Sequence, residues 1–201
     1  MSRLFDSIVI VDWSAAAKPS PKAKSPNAIW IGIAGHGAEE PHYERTRAAA
    51  EDRLHRFLSE ARMAGRRVLV GCDFGFGYPR GFAEEIAGSA SALAVWEWLA
   101  AHIEDGPDNA NNRFEIAAEL NRRFPGVGPF WGRPSGLDLP DLPERGRLRT
   151  VSELPDFRHV EKKTEPRAQP VWKLFTAGSV GSQMLTGLPV LHRLRTDPGL
   201  R

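Results

Sequence analysis

Two aspartates follow predicted β-strands and are the residues best placed to do chemistry. Asp12 ends the apolar run Ile8-Val9-Ile10-Val11, and Asp73 follows the apolar run Val68-Leu69-Val70 in "RRVLVGCDFGFGYPRG". A carboxylate at a strand end beside a glycine-rich turn can reach a hard cation, and Mg²⁺ is often held by one or two carboxylates with water and substrate phosphates. The pair predicts a site for Mg²⁺ or Mn²⁺. The plainer alternative is that each aspartate is a turn residue or a cap.

The elements around these aspartates predict that the two carboxylates meet. Apolar and β-branched runs predict strands at 7–12, 28–34, 42–46 and 68–70, and apolar residues at helical spacing predict a helix over 47–64, with Gly65 as its cap. This order favours three antiparallel strands followed by a right-handed crossover that returns the fourth strand parallel to the first. The carboxyl ends of strands one and four then share the edge where open α/β sheets bind ligands.

The second half of the chain is more helical and less regular. Apolar stripes predict helices over 80–101, with a joint at Gly88-Ser89, over 112–124 and over 179–194, where Pro189 should kink or divide the helix. Residues 126–155 are rich in proline and glycine and are predicted to form a long structured loop, and 171–175 a short strand or helix start. The predicted fold class is α/β, a mixed sheet with helices packed on it and an irregular insertion.

Composition places the chain among globular proteins. It has 201 residues, of which 41% are hydrophobic and 26% charged, which predicts one domain over residues 1–201. The net charge is only +2, so any basic surface for an anionic partner must be local. No apolar stretch is long enough to span a bilayer. The single cysteine, Cys72, fits a reducing compartment, so we expect a cytoplasmic protein without a membrane partner.

A loop rich in lysine, proline, serine and alanine follows Asp12. Its sequence, "WSAAAKPSPKAKSPN", predicts a flexible basic segment with Lys18, Lys22 and Lys24 available to the backbone of a nucleic acid. Cys72 is expected to be a buried thiol and not a nucleophile, because free cysteine is usually buried and its strand predicts burial.

A basic segment, "RHVEKKTEPRAQPVWK" at residues 158–173, is a second candidate cluster. Its charged residues are Arg158, His159, Lys162, Lys163, Arg167 and Lys173, against Glu161 and Glu165. This excess of positive charge favours an anionic substrate, which Arg158, Lys163 and Lys173 would bind. Glu161 could be a third metal ligand beside the two aspartates. The plainer alternative is that the segment is a solvated surface. "AGSVGSQ" at 177–183 is either an anion-binding helix start or a closely packed cap.

Three segments, "IVIVDWSAA", "VGCDFGFGYPRGF" and "RHVEKKTEP", resemble the bacterial proteins grouped as domain of unknown function 429, which are predicted ribonuclease H-like nucleases. The resemblance runs from Ile8 to Leu194 and implies that Asp12 and Asp73 are metal-binding acids. It also matches Arg158 and Glu161 to an Arg-x-x-Glu motif. Phe74 departs from the family, which more often has a small residue or proline there. The further acidic strand that the family leads us to expect after the last helix is absent before Arg201.

The mechanism implied by this resemblance is phosphodiester hydrolysis by cations about 3.5 to 4 Å apart, with Asp12 bridging them and Asp73 and Glu161 completing the site. Two alternatives stay open. The ribonuclease H-like fold is related in shape to the fold of actin-like ATPases. If this chain bound nucleotide as they do, Asp12 and Ser14 would contact it. A non-catalytic binding module would keep the fold with fewer than three converging carboxylates. Similar "VDWSAA" sequences also carry labels for molybdopterin or cobalamin biosynthesis.

Overall fold

Two compact units make up the chain in the computed structural model, which describes residues 4–35, 40–151, 153–164 and 168–201. The first, here called the sheet unit, comprises Met1–Asp73, Asp105–Asn111 and Arg193–Arg201. The second, the helical unit, comprises Phe74–Glu104 and Asn112–His192. That these units belong to one domain stays a prediction from the sequence.

The sheet unit contains a mixed four-stranded sheet and one long helix. Its elements are β1 (Ser7–Asp12), β2 (Ile29–Ala34), β3 (His42–Glu44), α1 (Arg47–Met63) and β4 (Val68–Cys72). The strand order is β3-β2-β1-β4, in which β1 pairs antiparallel with β2, β2 antiparallel with β3, and β1 parallel with β4. The α/β class and the predicted strand directions are therefore confirmed.

One face of this sheet forms the core of the unit. Val9 and Val11 of β1 and Ile29 and Ile31 of β2 are fully or almost fully buried, and α1 contacts β2 and β3. Helix α1 begins after Thr46, whose side chain accepts a hydrogen bond from the Ala49 N–H. It ends before Gly65, which has the positive φ of +65° that a helix C-terminus favours.

The opposite face of the sheet is apolar but exposed. Ile8 is 43% exposed, Ile10 is 56% exposed and Leu69 of β4 is 44% exposed. Ile8 and Leu69 are partners in the parallel ladder, so these side chains lie on the same face. Strand β1 thus carries β-branched residues on both faces, and only one face is buried.

The helical unit is built from α2 (Phe82–Ala87), α3 (Ala92–His102), α4 (Arg113–Asn121) and most of α5 (Val180–Thr196). The predicted joint is confirmed, because Gly88 ends α2 with φ of +62° and Ser91 caps α3. Pro189 does not divide α5, whose residues 184–190 are all buried. Burial of this stretch offsets the hydrogen bond that a proline removes from a helix.

The described part of residues 126–155, which is 126–151 and 153–155, is irregular, as predicted, with a 3₁₀ turn at Gly146–Leu148. The segment 171–175 forms neither a strand nor a helix; Lys173 makes an isolated bridge to Trp131. The core of this unit is aromatic, with ring centroids 4.5 to 5.8 Å apart among Tyr78, Phe82, Phe130 and Trp172. Among the described helices of both units, none combines the length and the apolar character that crossing a membrane requires.

Candidate functional site

Asp12 and Asp73 are neighbours at the carboxyl ends of β1 and β4. Val11 pairs with Cys72 in the parallel ladder, and the Asp73 N–H donates to the Val11 carbonyl at 3.1 Å, which extends the pairing by one step. Adjacent strands lie about 4.8 Å apart. The structure therefore brings together the two aspartates that the sequence predicted to meet.

The Asp73 side chain is held against the chain that follows Asp12. Its Oδ1 atom accepts a hydrogen bond of 2.9 Å from the backbone N–H of Trp13. This bond orients the carboxylate toward β1 and fixes it beside Asp12. Both aspartates are exposed, so the pair faces solvent and not the core.

The Asp12 side chain lines an open cleft of about 500 Å³ in the sheet unit. The other residues that line this cleft are Lys24, Ser25, Pro26, Trp30 and Pro41. Trp30 is the direct partner of Asp12 in the antiparallel β1–β2 ladder. Side chains of directly opposed residues lie on the same face of a sheet, so the indole of Trp30 borders the carboxylate of Asp12.

The orientation of Trp30 is fixed by its neighbours. Its Nε1–H donates to the Ser25 carbonyl at 3.0 Å, and the Tyr43 ring packs against it edge-on at a centroid distance of 5.1 Å. The Lys24 ammonium lies 5.7 Å from the centre of the indole. Lys24 also makes a 3.7 Å ion pair with Glu40, in which both side chains are largely exposed.

The basic loop after Asp12 is tied to the sheet by side chains, which differs from the flexible segment predicted from its composition. The Tyr43 hydroxyl donates to the carbonyls of Pro21 and Ala23 at 2.8 and 3.1 Å. Arg45 donates to the Ser20 carbonyl at 2.7 Å. The partners come from β3 and the residue after it, which composition alone does not place beside the loop.

Arg47, at the start of α1, holds the first part of the same loop. Its guanidinium donates to the carbonyls of Ser14 and Ala16 at 3.1 and 2.8 Å. The Nε and Nη2 atoms of the same guanidinium donate to the two carboxylate oxygens of Asp105, at 2.5 and 2.6 Å. Arg47 is 1% exposed, and a buried arginine requires such full pairing. It thereby fixes the course of the chain next to Asp12.

The hydroxyl of Ser14, which would bind nucleotide in the actin-like alternative, makes its hydrogen bonds within this loop. It donates to the Asn27 carbonyl at 3.2 Å and accepts from the Ala16 N–H at 3.4 Å. Ser14 is thus close to Asp12 in the chain, and its contacts are those of a turn residue.

Cys72, the last residue of β4, is a half-buried free thiol. Burial raises the pKa of Cys72 to about 12, and the negative charge of Asp73 adds to the increase. The thiolate is the nucleophilic form, so the raised pKa agrees with the expectation that this cysteine is not a nucleophile.

Arg158 and Glu161 pair with each other in the helical unit. Glu161 Oε2 accepts from the Arg158 backbone N–H at 2.6 Å, and Oε1 accepts from the guanidinium at 3.0 and 2.8 Å. Arg158 Nη1 also donates to the Gly77 carbonyl at 3.0 Å. A Cβ at Gly75 would lie 2.7 Å from this guanidinium, so a larger residue there would displace the arginine from its present position. The pair anchors the glycine-rich loop; a metal-binding role for Glu161 and a substrate-binding role for Arg158 stay predictions.

The other predicted residues of the basic segment also lie in the helical unit. Lys163 is exposed at the end of a 3₁₀ turn, Glu161–Lys163. Lys173 Nζ donates to Gln169 Oε1 at 3.2 Å and to the Ala177 carbonyl at 2.7 Å, so it stabilises a local loop. Glu165 and Arg167 lie outside the described residues.

The glycine- and serine-rich start of α5 is closely packed. A Cβ on Gly181 would lie 2.5 Å from the Val171 carbonyl oxygen, and the Ser182 hydroxyl donates to the Leu174 carbonyl at 2.6 Å. These contacts agree with the second of the two readings, a packed cap.

Within the described parts of both units, no group of three or more His, Cys, Asp or Glu side chains has an arrangement that could hold a metal ion. The Asp12–Asp73 arrangement is a pair. The sequence reasoning missed Trp30 and Arg47 at this end of the sheet. The antiparallel register of β1 and β2 was the signal that could have indicated Trp30, because it places this residue opposite Asp12.

Comparisons of the chain with family models, with curated proteins and with solved structures gave no match. The sheet and the aspartate pair are therefore the structural features that bear on the class of this protein.

Proposed function

We propose that this chain is a metal-dependent phosphodiester hydrolase of the ribonuclease H-like class that acts on nucleic acid. The observation that carries the proposal is the adjacency of Asp12 and Asp73 at the carboxyl ends of two parallel strands. Ligands of open α/β sheets bind at such an edge. The mixed sheet in the order β3-β2-β1-β4 agrees with the fold that this class implies.

The chemistry of the pair fits Mg²⁺ or Mn²⁺. Both groups are hard oxygen donors, which these cations prefer, and adjacent carboxylates repel each other unless positive charge lies between them. Asp73 is already oriented by the Trp13 N–H, so it does not have to reorganise to bind. A bound divalent cation would supply Lewis-acid stabilisation of a phosphoryl oxygen and activation of water.

Asp12 and Arg47 then have distinct roles in hydrolysis. Asp12 is exposed in the cleft and, with Asp73, would hold the cation, which when bound would stabilise charge on the reacting phosphate. Arg47 keeps the adjacent loop in place through the Ser14 and Ala16 carbonyls. Water adds to phosphorus, the bond from phosphorus to the leaving oxygen breaks, and that oxygen takes up a proton to give a hydroxyl end and a phosphate monoester.

The proposal predicts that Asp12→Asn abolishes cleavage without unfolding the protein. Asparagine keeps the size of the side chain and removes the charge that a divalent cation requires. The measurement is cleavage of a panel of single- and double-stranded DNA and RNA with Mg²⁺ or Mn²⁺ and with a chelator. Asp52→Asn, an exposed acid on α1, is the matched control and should cleave as the wild type does. Wild-type protein that cleaves nothing, or full activity in Asp12→Asn, would contradict the proposal.

The actin-like alternative makes a different prediction. Nucleotide binding at Asp12 and Ser14 would raise the melting temperature in the presence of ATP and Mg²⁺, because a ligand that binds only the folded state stabilises it. The two contacts of the Ser14 hydroxyl are both within the loop and give this alternative no added support.

A further inference from the structure

The cleft beside Asp12 combines groups that recognise an unpaired nucleobase. Trp30 is half-buried, lines the cleft and lies directly opposite Asp12 in the β1–β2 ladder. Bases stack on aromatic side chains in sequence-tolerant binding of single strands, and lysines track the phosphates. An indole next to a carboxylate pair is therefore placed to bind a base next to the phosphate being cleaved.

We propose that Trp30 is a stacking platform for a base of single-stranded nucleic acid and that Lys24 is the phosphate contact paired with it. This inference rests on the proposed function and names its substrate class. The interior of a duplex is disfavoured as an occupant, because a paired internal base must leave its own stack and pair before it can stack on Trp30.

The rigidity of the platform supports this assignment. The indole is fixed by its bond to the Ser25 carbonyl and by the Tyr43 ring, and Tyr43 also holds the Pro21 and Ala23 carbonyls. A surface that is already ordered loses little conformational entropy when a ligand binds.

The position of Lys24 also supports it. In the structure its ammonium lies near the indole and pairs with Glu40, and both side chains of that ion pair are largely exposed. Exposed ion pairs of this kind contribute little free energy. A base can displace the ammonium from the ring, and the ammonium can then bind the adjacent phosphate.

The charge of the loop that follows Asp12 favours nucleic acid over a proline-rich peptide, which aromatic and proline side chains would also suit. No acidic residue occurs between Asp12 and Glu39, whereas Lys18, Lys22 and Lys24 all lie in this stretch and are exposed. A polyanion gains from this concentration of positive charge, since bound counterions are released from its phosphates.

The test is binding of a fluorescein-labelled oligopyrimidine of about twelve nucleotides, measured by anisotropy in a chelator so that no cleavage occurs. A labelled probe is needed because the chain has six tryptophans. Trp30→Leu should weaken binding by about tenfold, the effect of losing one base stack. Trp30→Phe keeps a ring but loses the hydrogen bond to Ser25, and it should retain most of the affinity.

Two further variants separate stacking from general effects. Lys24→Gln should lower the slope of log affinity against log salt by about 0.7, the value of one phosphate contact to a single strand. Trp98→Leu, at a tryptophan that stacks on His102 in the helical unit, should bind as the wild type does.

The proposal is overturned if Trp30→Leu binds as the wild type does, if Trp30→Phe is as weak as Trp30→Leu, if duplex binds as well as single strand, or if no oligonucleotide binds. A mononucleotide or a polyproline peptide that competes as well as the oligonucleotide would also overturn it. Trp30-dependent binding without cleavage would contradict only the hydrolase proposal. Cleavage that is insensitive to Trp30 would contradict only the platform.

Discussion

At the scale of single residues, the two tyrosines of the chain show how burial and partners decide what a hydroxyl contributes. The Tyr78 hydroxyl is buried and has no hydrogen-bond partner among the described residues, and burial raises the pKa of Tyr78 above its usual value. The Tyr43 hydroxyl donates to two loop carbonyls. A buried polar group without a partner is destabilising, whereas a satisfied one is mildly stabilising.

Replacing each tyrosine by phenylalanine should therefore have opposite effects. Tyr78→Phe should raise the free energy of unfolding by about 1 kcal/mol, because it removes an unsatisfied buried group and keeps the ring stacked on Trp172. Tyr43→Phe should lower it by about 0.5 to 1 kcal/mol. Urea denaturation of the two variants measures both values. A loss of stability in Tyr78→Phe would indicate that the hydroxyl has a partner, such as a buried water.

At the scale of elements, the Arg158–Glu161 pair joins a 3₁₀ turn to the loop between Phe74 and Tyr78. The Glu161 side chain is 5% exposed and the Arg158 side chain 24% exposed. Removing one partner of a buried pair leaves the other charge without compensation, and this loss exceeds the net contribution of the intact pair. The contacts explain why an Arg-x-x-Glu spacing suits this position, because both residues lie on one side of a single turn.

Glu161→Gln should lower the free energy of unfolding by about 2 kcal/mol or more, since Arg158 then lies in a half-buried site without a counter-charge. Glu153→Gln, an exposed acid in the same unit, is the control and should change stability by less than about 0.5 kcal/mol. Thermal and urea unfolding give the comparison. A Glu161→Gln protein with wild-type stability but no metal-dependent cleavage would favour the catalytic role over the anchor.

At the scale of the whole molecule, the chain separates into a sheet unit with the aspartate pair and a helical unit with an aromatic core. The sheet unit has a buried face and an exposed apolar face. Side chains that stay exposed bury little apolar area on folding and therefore contribute little to the free energy of unfolding. Substitutions on the two faces of the sheet can therefore test which face is buried, through their effects on the free energy of unfolding.

Two neighbouring residues of β1 provide that test. Val9→Thr should lower the free energy of unfolding by about 2 kcal/mol, because Val9 is fully buried and threonine places a hydroxyl in the core. Ile10→Thr, on the exposed face, should change it by no more than about 0.5 kcal/mol. Equal effects of the two substitutions in denaturant unfolding would contradict the assignment of the faces.

The sequence alone determined the elements of the sheet unit and the meeting of Asp12 with Asp73. Strands and helices depend on residues close together in the chain, and the handedness of the crossover then leaves one place for β4. The bounds of α1, the joint at Gly88 and the start of α5 followed from the same local signals. Pro189 was expected to kink or divide the last helix, and α5 is not divided there, because burial of α5 outweighs the local effect of proline.

Only the tertiary structure decided which partners these residues have. The run Ile8-Val9-Ile10-Val11 is apolar throughout, so its sequence contains no signal for the face that is buried. The contact of Arg158 with Gly77 joins residues 81 positions apart, and that of Arg47 with Asp105 joins residues 58 apart. Such contacts depend on how separate elements pack, which local periodicity does not encode. For the same reason the position of Trp30 beside Asp12 depends on the register of β1 and β2.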